Sequence, residues 1–271
     1  MDAYDAAIRA ACKQLRMPGL AQQYASVVRE AEDQSLGYRP FLAAVLAQEL
    51  EARHTRQVAK FLRDARFPVL KTLDEFDFSL RPELPRMTCL SLVDGAWIPA
   101  HKNCLILGGS GTGKSHLATA LGYAAVQAGH RVRFTAASAL AQDLAAAQGE
   151  HRLSARLKMW QRYALVIVDE LGYVPLDAPA AHALFQFFAD RYERGAVIVT
   201  SHLDFGQWSE VFGDTQLTTA LLDRLTHHAY CWTLTGESFR FHEAKAARLG
   251  GGRGEEGAGW PGSAGAAPTR T

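Results

Sequence analysis

One stretch decides the fold of this chain: Gly108-Gly109-Ser110-Gly111-Thr112-Gly113-Lys114-Ser115, which matches the pattern G-x-x-x-x-G-K-[ST] at every fixed position. An apolar run at 104–107 precedes it, and a helical pattern follows it. Glycine lets the backbone take conformations closed to other residues, so successive N–H groups can surround phosphate oxygens at a helix N-terminus. Lys114 then reaches the β- and γ-phosphates, and the hydroxyl of Ser115 binds Mg²⁺. The whole loop is therefore predicted to bind a nucleoside triphosphate.

Two carboxylates follow a second predicted strand. The run 165–168 is continuously apolar, as a parallel strand covered on both faces should be, and it leads into Asp169 and Glu170. Ligands collect at the carboxyl ends of strands in an open α/β sheet. We expect Asp169 to hold Mg²⁺, directly or through water, and Glu170 to polarise the attacking water. The alternative is a solvated acidic strand end.

A polar cluster follows a third apolar run, 196–199. This cluster consists of Thr200, Ser201 and His202, and its strand is expected to lie between the first two. Ser201 and His202 are candidates to sense the γ-phosphate or to orient water. The alternative is structural, because a single histidine at a strand end serves packing as often as function.

Strands and helices alternate along the second half of the chain. We predict strands at 103–108, 131–136, 164–168, 196–200 and 229–234, with helical segments between them. Right-handed crossovers favour a parallel arrangement of these strands. The predicted fold class is therefore α/β, a P-loop NTPase with a five-stranded parallel sheet.

Differences in local amino-acid composition divide the chain into four regions. Residues 1–67 are rich in helix formers and predict a small all-helical domain for binding DNA or a partner. Residues 68–101 contain prolines with aromatic and leucine anchors, which predicts an extended connector lying on the next domain. Residues 102–249 form the predicted ATPase domain, and the Gly/Ala/Pro-rich stretch 250–271 is predicted to be a disordered tail.

Composition limits the classes of protein that fit. The 271 residues carry a net charge of +1, so contacts with nucleic acid must come from local basic clusters. No apolar stretch approaches the roughly 20 residues that cross a bilayer, and the first residues lack the layout of a signal peptide. We therefore expect a cytoplasmic protein with no membrane partner. The scattered cysteines, without C-x-x-C spacing, predict neither a disulfide framework nor a cysteine zinc site.

Several motifs together resemble those of IstB-type transposition helper ATPases, which are relatives of the DnaC-like helicase loaders. The motifs are residues 108–115, 166–170, 199–202 and 220–228, and the stretches 15–20 and 71–78 resemble the family outside the ATPase core. The resemblance implies an AAA+ fold of the initiator type, with ATP and Mg²⁺ as cofactors. It also implies a homo-oligomer assembled with ATP on duplex DNA and a partner transposase. The chain ends soon after residue 245, so we expect no full lid domain.

The resemblance also singles out Arg224. This residue corresponds to the position from which initiator-type ATPases offer an arginine finger to a neighbouring subunit's γ-phosphate, where a guanidinium stabilises charge in the transition state. The alternative is a surface ion pair with Asp223 or an arginine that lies at a helix end.

Two basic clusters are candidates for binding the DNA backbone. The first lies on one face of a predicted helix, and the second precedes the acidic strand. Their members are Arg53, Arg56, Lys60 and Arg63 in the first cluster, and Arg152, Arg156 and Lys158 in the second. The alternative for both is a solvated helix face, with Glu49 paired to Arg53 and Asp64 paired to Lys60.

Three functions remain open from the sequence. A transposition helper is favoured, a helicase loader is the second reading, and a small-molecule kinase is the third. Glu170, Arg224 and the lack of an evident acceptor site argue against the kinase.

Overall fold

Five parallel strands form one sheet in the computed structural model, which describes residues 3–236, 238 and 239. The strand order is β2-β3-β4-β1-β5, and every pairing is parallel. The strands are β1 (Asn103–Gly108), β2 (Val132–Ala136), β3 (Leu165–Leu171), β4 (Ala196–Ser201) and β5 (Ala229–Leu234). This confirms the predicted α/β class with a five-stranded parallel sheet, and β4 lies between β1 and β3 as expected.

Ten helices in the described part of the chain surround the sheet or precede it. They are α1 (Ala3–Gln14), α2 (Pro18–Asp33), α3 (Tyr38–Ala65), α4 (Arg86–Ser91), α5 (Lys114–Gln127), α6 (Ala137–Gly149), α7 (Leu153–Trp160), α8 (Ala178–Arg191), α9 (Trp208–Phe212) and α10 (Thr215–Thr226). Short 3-10 turns occupy Phe78–Leu80 and Phe205–Gln207.

The sheet is covered on both faces, which explains the continuous apolar runs of its central strands. One face packs against α6 to α10 through a core that includes Leu184, Phe187 and Trp208. The other face packs against α5, the end of α3 and the segment between α3 and β1. This double cover leaves the carboxyl ends of the strands as the place where polar groups can collect.

The long helix α3 contributes to two packing units. Its first half packs against α2, while Val58, Phe61 and Leu62 near its end pack against the core on the α5 side of the sheet. Leu50, on the first half of this helix, is 67% exposed. The packing partner of α3 changes along its length, so no single face is buried throughout.

The segment 68–101 contains more local structure than an extended connector. It includes α4 and a 3-10 turn, and Phe76, Leu84 and Trp97 are buried in the core on the α5 side of the sheet. The division of the chain at residues 67 and 101 stays a prediction. The predicted tail and the place where a lid would follow β5 lie outside the described residues. Within the described ranges, no helix has the length and apolar character needed to cross a bilayer.

Candidate nucleotide site

The glycine-rich loop connects the end of β1 to the start of α5. Gly108 has φ +137° and Gly113 has φ +99°, conformations that side-chain-bearing residues rarely adopt. A Cβ atom on Gly108 would lie 2.1 Å from the carbonyl oxygen of Leu234, so β5 also requires glycine there. The loop therefore has the backbone shape that directs amide groups toward phosphates at the N-terminus of α5.

Three oxygen-bearing side chains meet beside this loop. The hydroxyl of Ser115 donates to Oδ1 of Asp169 at 2.9 Å, and the hydroxyl of Thr200 donates to the same oxygen at 2.5 Å. Ser115 lies in the first turn of α5, Asp169 on β3 and Thr200 on β4, so the fold joins distant parts of the chain here. Hydroxyl and carboxylate oxygens are the hard ligands that Mg²⁺ prefers, so the predicted ligands Ser115 and Asp169 fit this ion.

Glu170 follows Asp169 at the exposed rim of the sheet. Its φ is +60°, an unusual value for a residue with a side chain, and its amide donates to the Thr200 hydroxyl at 2.9 Å. The pairing of β3 with β4 shifts register between Val168 and Leu171, at this position. Strain of this kind clusters at functional sites, and here it turns the Glu170 side chain toward solvent.

The phosphate loop is braced from the segment that precedes the sheet. Arg81 is 3% exposed, and its Nε donates to the carbonyl oxygen of Thr112 at 2.8 Å. The Thr112 hydroxyl donates to the carbonyl of Gly109 at 2.9 Å, and Nζ of Lys114 donates to the same carbonyl at 2.6 Å. Lys114 therefore lies folded over the loop, where its ammonium group is within reach of phosphates that enter it.

Ser201 and His202 do not join this cluster. The Ser201 hydroxyl is fully buried, donates to the carbonyl of Leu171 at 2.7 Å and accepts from the amide of Leu203 at 3.1 Å. His202 is exposed, with its ring 6.1 Å from that of Tyr173. Thr200, which the sequence prediction did not single out within the polar cluster, is the member that contacts Asp169.

Arg224 lies at the opposite end of the sheet. It lines a small cavity with Asn103, which begins β1, and Gly195, which precedes β4. The six residues of β1 span about 20 Å between that end and the phosphate loop. No ion pair with Asp223 is found among the described residues, and the guanidinium lies 5.6 Å from the centre of the Phe185 ring. Arg224 therefore cannot reach the phosphates of its own subunit.

Two arginines on the basic face of α3 form ion pairs that help to hold α3 against α2. Arg53 and Arg56 contact the carboxylate of Glu49 at 2.8 and 3.2 Å, and the other oxygen of Glu49 accepts from the amide of Leu20 at 2.8 Å. Burial by itself would raise the pKa of Glu49, but these hydrogen bonds and the two positive charges outweigh it and lower the pKa below its ordinary value of 4.5. A buried carboxylate thus satisfies an N-terminal amide of α2.

The remaining members of the first basic cluster are exposed. Lys60 and Arg63 face solvent on α3. Asp64, expected beside Lys60, instead forms an ion pair with Arg131 at 3.2 Å. The structure therefore leaves Lys60 and Arg63 more accessible to an outside anion than the sequence indicated.

The second basic cluster lies at and within α7. Arg152 pairs with Glu150, and Arg156 pairs with Asp143 at 3.4 Å, while Lys158 is exposed. Neither basic cluster lies among the groups that surround the phosphate loop. DNA contact by these residues stays a prediction.

A family model described as IstB-like ATP binding protein matches residues 10–247. Among similar sequences is the ATP-binding protein of insertion sequence IS21 from Pseudomonas aeruginosa, which is 40% identical over 233 residues, or 86% of this chain and 88% of the relative. The ATP-binding protein of insertion sequence IS5376 from Geobacillus stearothermophilus is 35% identical over 234 residues, or 86% of this chain and 93% of the relative. These matches confirm the resemblance inferred from the motifs.

Solved structures share the fold. AMPPCP-bound DnaA from Aquifex aeolicus superposes with a TM-score of 0.51 at 20% identity, over 66% of this chain and 55% of that chain. The chain thus spans about half the length of that DnaA structure. DnaI superposes with a TM-score of 0.50 at 16% identity, over 68% of this chain and 98% of that one. At these identities the likeness shows the fold, which is the predicted AAA+ type.

Proposed function

The chain belongs to the family of IstB-like ATP-binding proteins, and on this premise we propose that it is an ATP-hydrolysing helper of an insertion sequence. In this proposal it assembles with ATP into a homo-oligomer on duplex DNA, selects the target, and recruits or activates its partner transposase. The observation that carries the proposal is the 2.9 Å hydrogen bond from Ser115 to Asp169, which joins the phosphate loop to the acidic strand at one edge of the sheet.

Nucleotide binding uses the loop and the residues that brace it. The backbone amides of residues 108–115 surround the phosphates, and Lys114 exchanges its contact with the Gly109 carbonyl for phosphate oxygens. Mg²⁺, when bound, supplies positive charge that offsets the charge of the phosphates, and Ser115 and Asp169 are its protein ligands. Arg81 keeps the loop in shape through the Thr112 carbonyl.

Hydrolysis depends on the position of Glu170. Its carboxylate polarises the attacking water, since it is exposed at the strand end next to Asp169. Thr200 fixes both neighbours at once, because its hydroxyl bonds the Asp169 carboxylate and the Glu170 amide. Thr200 is therefore a positioning residue for the hydrolytic water.

Arg224 acts on the nucleotide of a neighbouring subunit. It lies at the far end of the sheet and cannot contact the phosphates bound by its own chain. A head-to-tail assembly is therefore needed to bring it to the γ-phosphate of a neighbour. An arginine finger increases turnover by about 10³-fold or more. Hydrolysis thereby becomes dependent on assembly, and loss of the γ-phosphate loosens the oligomer.

Duplex DNA is bound through exposed basic side chains. Lys60 and Arg63 on α3 and Lys158 on α7 are exposed cations available for phosphate contact. Such contacts do not depend on base sequence and weaken as salt rises. The likeness to DnaI shows a shared fold and carries no argument about function.

The test is to measure ATP turnover and assembly size together, with and without duplex DNA. Wild type, Lys114→Ala and Glu170→Gln are compared. We expect wild type to assemble and turn over ATP when DNA is present. Lys114→Ala should do neither, and Glu170→Gln should assemble without turnover and remain on DNA longer.

Glu32→Gln is a matched control for the loss of an exposed carboxylate away from the phosphate loop, on α2, and it should keep turnover. An assembly size that depends on neither nucleotide nor DNA would contradict the proposal. So would turnover in Glu170→Gln equal to that of wild type.

A further inference from the structure

Two histidines and a glutamate lie together at the end of the molecule that carries Arg224. Glu193 follows α8, and His227 and His228 follow α10. One potential ligand atom from each of the three residues lies within 4.8 Å of those of the other two, and all three side chains are exposed. Imidazole and carboxylate are the groups with which proteins bind zinc and related ions. The cluster is distinct from the predicted magnesium ligands at the opposite strand ends.

Tyr192 orients one of the two imidazoles. Its hydroxyl oxygen lies 3.0 Å from Nδ1 of His227, which leaves the other ring nitrogen of His227 available as a ligand. The rings of His227 and His228 lie with centroids 4.0 Å apart, so both imidazoles occupy the same small region. A hydrogen bond to the outer nitrogen of a metal-binding histidine is the usual supporting contact in metal sites.

The electrostatic surroundings favour a cation. The cluster lies at the C-terminal end of α10, where the helix dipole is negative. Glu193 contributes its own negative charge beside the two imidazoles. A carboxylate and a helix C-terminus thus act on the space between the imidazoles.

We propose that Glu193, His227 and His228 bind a divalent ion of the zinc class. Ligand atoms lie about 2.0–2.2 Å from zinc and therefore roughly 3.5 Å from one another, a change that exposed side chains can make by rotation. Three protein ligands leave a fourth position for water or for a group from another molecule. The ion joins the turn that follows α8 to the end of α10. Since His227 lies one helical turn after Arg224, binding orders the helix end that carries this arginine.

The experiment uses the full-length chain after treatment with a chelator. Zn²⁺ affinity is measured by competition with a chromogenic chelator, and Co²⁺ absorption serves as a spectroscopic substitute for zinc. We expect saturable binding of one ion per chain, with a cobalt spectrum that lacks thiolate charge transfer. His228→Ala and Glu193→Gln should weaken binding by about 10- to 100-fold or more, and Tyr192→Phe by about 10-fold.

His54→Ala, which removes another exposed histidine, on α3, is the matched control and should bind as wild type does. Unfolding curves check that each variant is folded. We expect them to be, because Glu193 and His228 are exposed and Tyr192→Phe removes only a hydroxyl group. The proposal is overturned by the absence of saturable binding in wild type. It is also overturned by equal affinity in wild type, His228→Ala and Glu193→Gln, or by a thiolate spectrum, which would assign the ion to a cysteine such as the exposed Cys231. This binding test does not depend on ATP turnover.

Discussion

Thr200→Val tests whether one buried hydroxyl holds the two acidic residues in place. Valine keeps the shape of threonine and its preference for a strand, and removes only the hydrogen-bonding group. In the structure that group donates to Asp169 at 2.5 Å and accepts from the amide of Glu170 at 2.9 Å. The substitution therefore breaks both contacts while leaving the volume of the core nearly unchanged.

The expected magnitude follows from these two bonds. A hydrogen bond to a charged group contributes about 1.5–3 kcal/mol, and leaving a partly buried amide unpaired costs about 1 kcal/mol more. We therefore expect Thr200→Val to lower the free energy of unfolding by about 2.5–4 kcal/mol. Displacement of Glu170 by as little as 1 Å is expected to lower kcat about 100-fold. ATP affinity should change little, because the phosphate loop keeps its own contacts.

Urea unfolding, binding of a fluorescent ATP analogue and steady-state turnover are measured on the same preparations. Thr200→Ser retains a hydroxyl and should recover most of the turnover. Thr226→Val removes an exposed hydroxyl from α10 and is the control for the chemical change itself. Unfolding within about 0.5 kcal/mol of wild type, together with unchanged kcat in Thr200→Val, would refute the reasoning.

Three further outcomes are expected. Arg224→Ala should bind ATP normally and lose assembly-dependent turnover by about 10³-fold. If the arginine acts between subunits, mixing Arg224→Ala with Glu170→Gln subunits should restore part of the turnover. No recovery at any mixing ratio would count against an arginine that acts between subunits. Glu49→Gln should lower the unfolding free energy by about 1–2 kcal/mol at pH 7. Folding lowers the pKa of Glu49, so the stabilisation that its carboxylate provides is present above pH 4.5 and is lost as pH falls through the folded-state pKa. Glu49→Gln should therefore lose less stability in acid than wild type does, as measured by urea unfolding. Equal dependence of stability on pH in the two proteins would contradict this. Lys60→Ala should weaken duplex DNA binding and reduce the slope of log K against log salt by about 0.9, and an unchanged slope would remove this residue from the interface.

The sheet could be predicted from the sequence because its central strands are continuous apolar runs. Strands covered on both faces need continuous apolar runs, and the runs before Gly108, Asp169 and Thr200 identify three of them. The end of β3 was predicted at residue 168, but the strand continues to Leu171. Pattern alone could not find this extension, because Asp169 and Glu170 interrupt the apolar run and the pairing with β4 shifts register there.

The candidate site was predicted in its local parts and missed in its long-range contacts. Loop residues and acidic residues carry motifs with fixed spacing, so Lys114 and Asp169 could be identified directly. Thr200 is 31 residues from Asp169, and Arg81 is 31 residues from Thr112, and no spacing rule links either pair. Ser201 looked equivalent to its neighbour, but successive strand residues point to opposite faces.

The basic clusters show a similar limit. A helical pattern can place positive charges on one face, but it cannot show which of them form ion pairs with a buried carboxylate. Glu49 is 3% exposed and forms ion pairs with two arginines of α3. Asp64 forms an ion pair with Arg131, the residue before β2, and not with Lys60. These pairings depend on tertiary contacts and change which cations remain available to DNA.

The most direct measurement of the central claim is ATP affinity, in the presence and absence of Mg²⁺, for wild type, Lys114→Ala and Lys102→Ala. Lys102 is an exposed lysine just before β1, and its substitution controls for the loss of charge. We predict tight, Mg²⁺-dependent binding by wild type and Lys102→Ala, and at least a roughly 100-fold loss in Lys114→Ala, which corresponds to about 2.7 kcal/mol. Equal affinity in all three proteins would contradict the assignment of residues 108–115 as the triphosphate site.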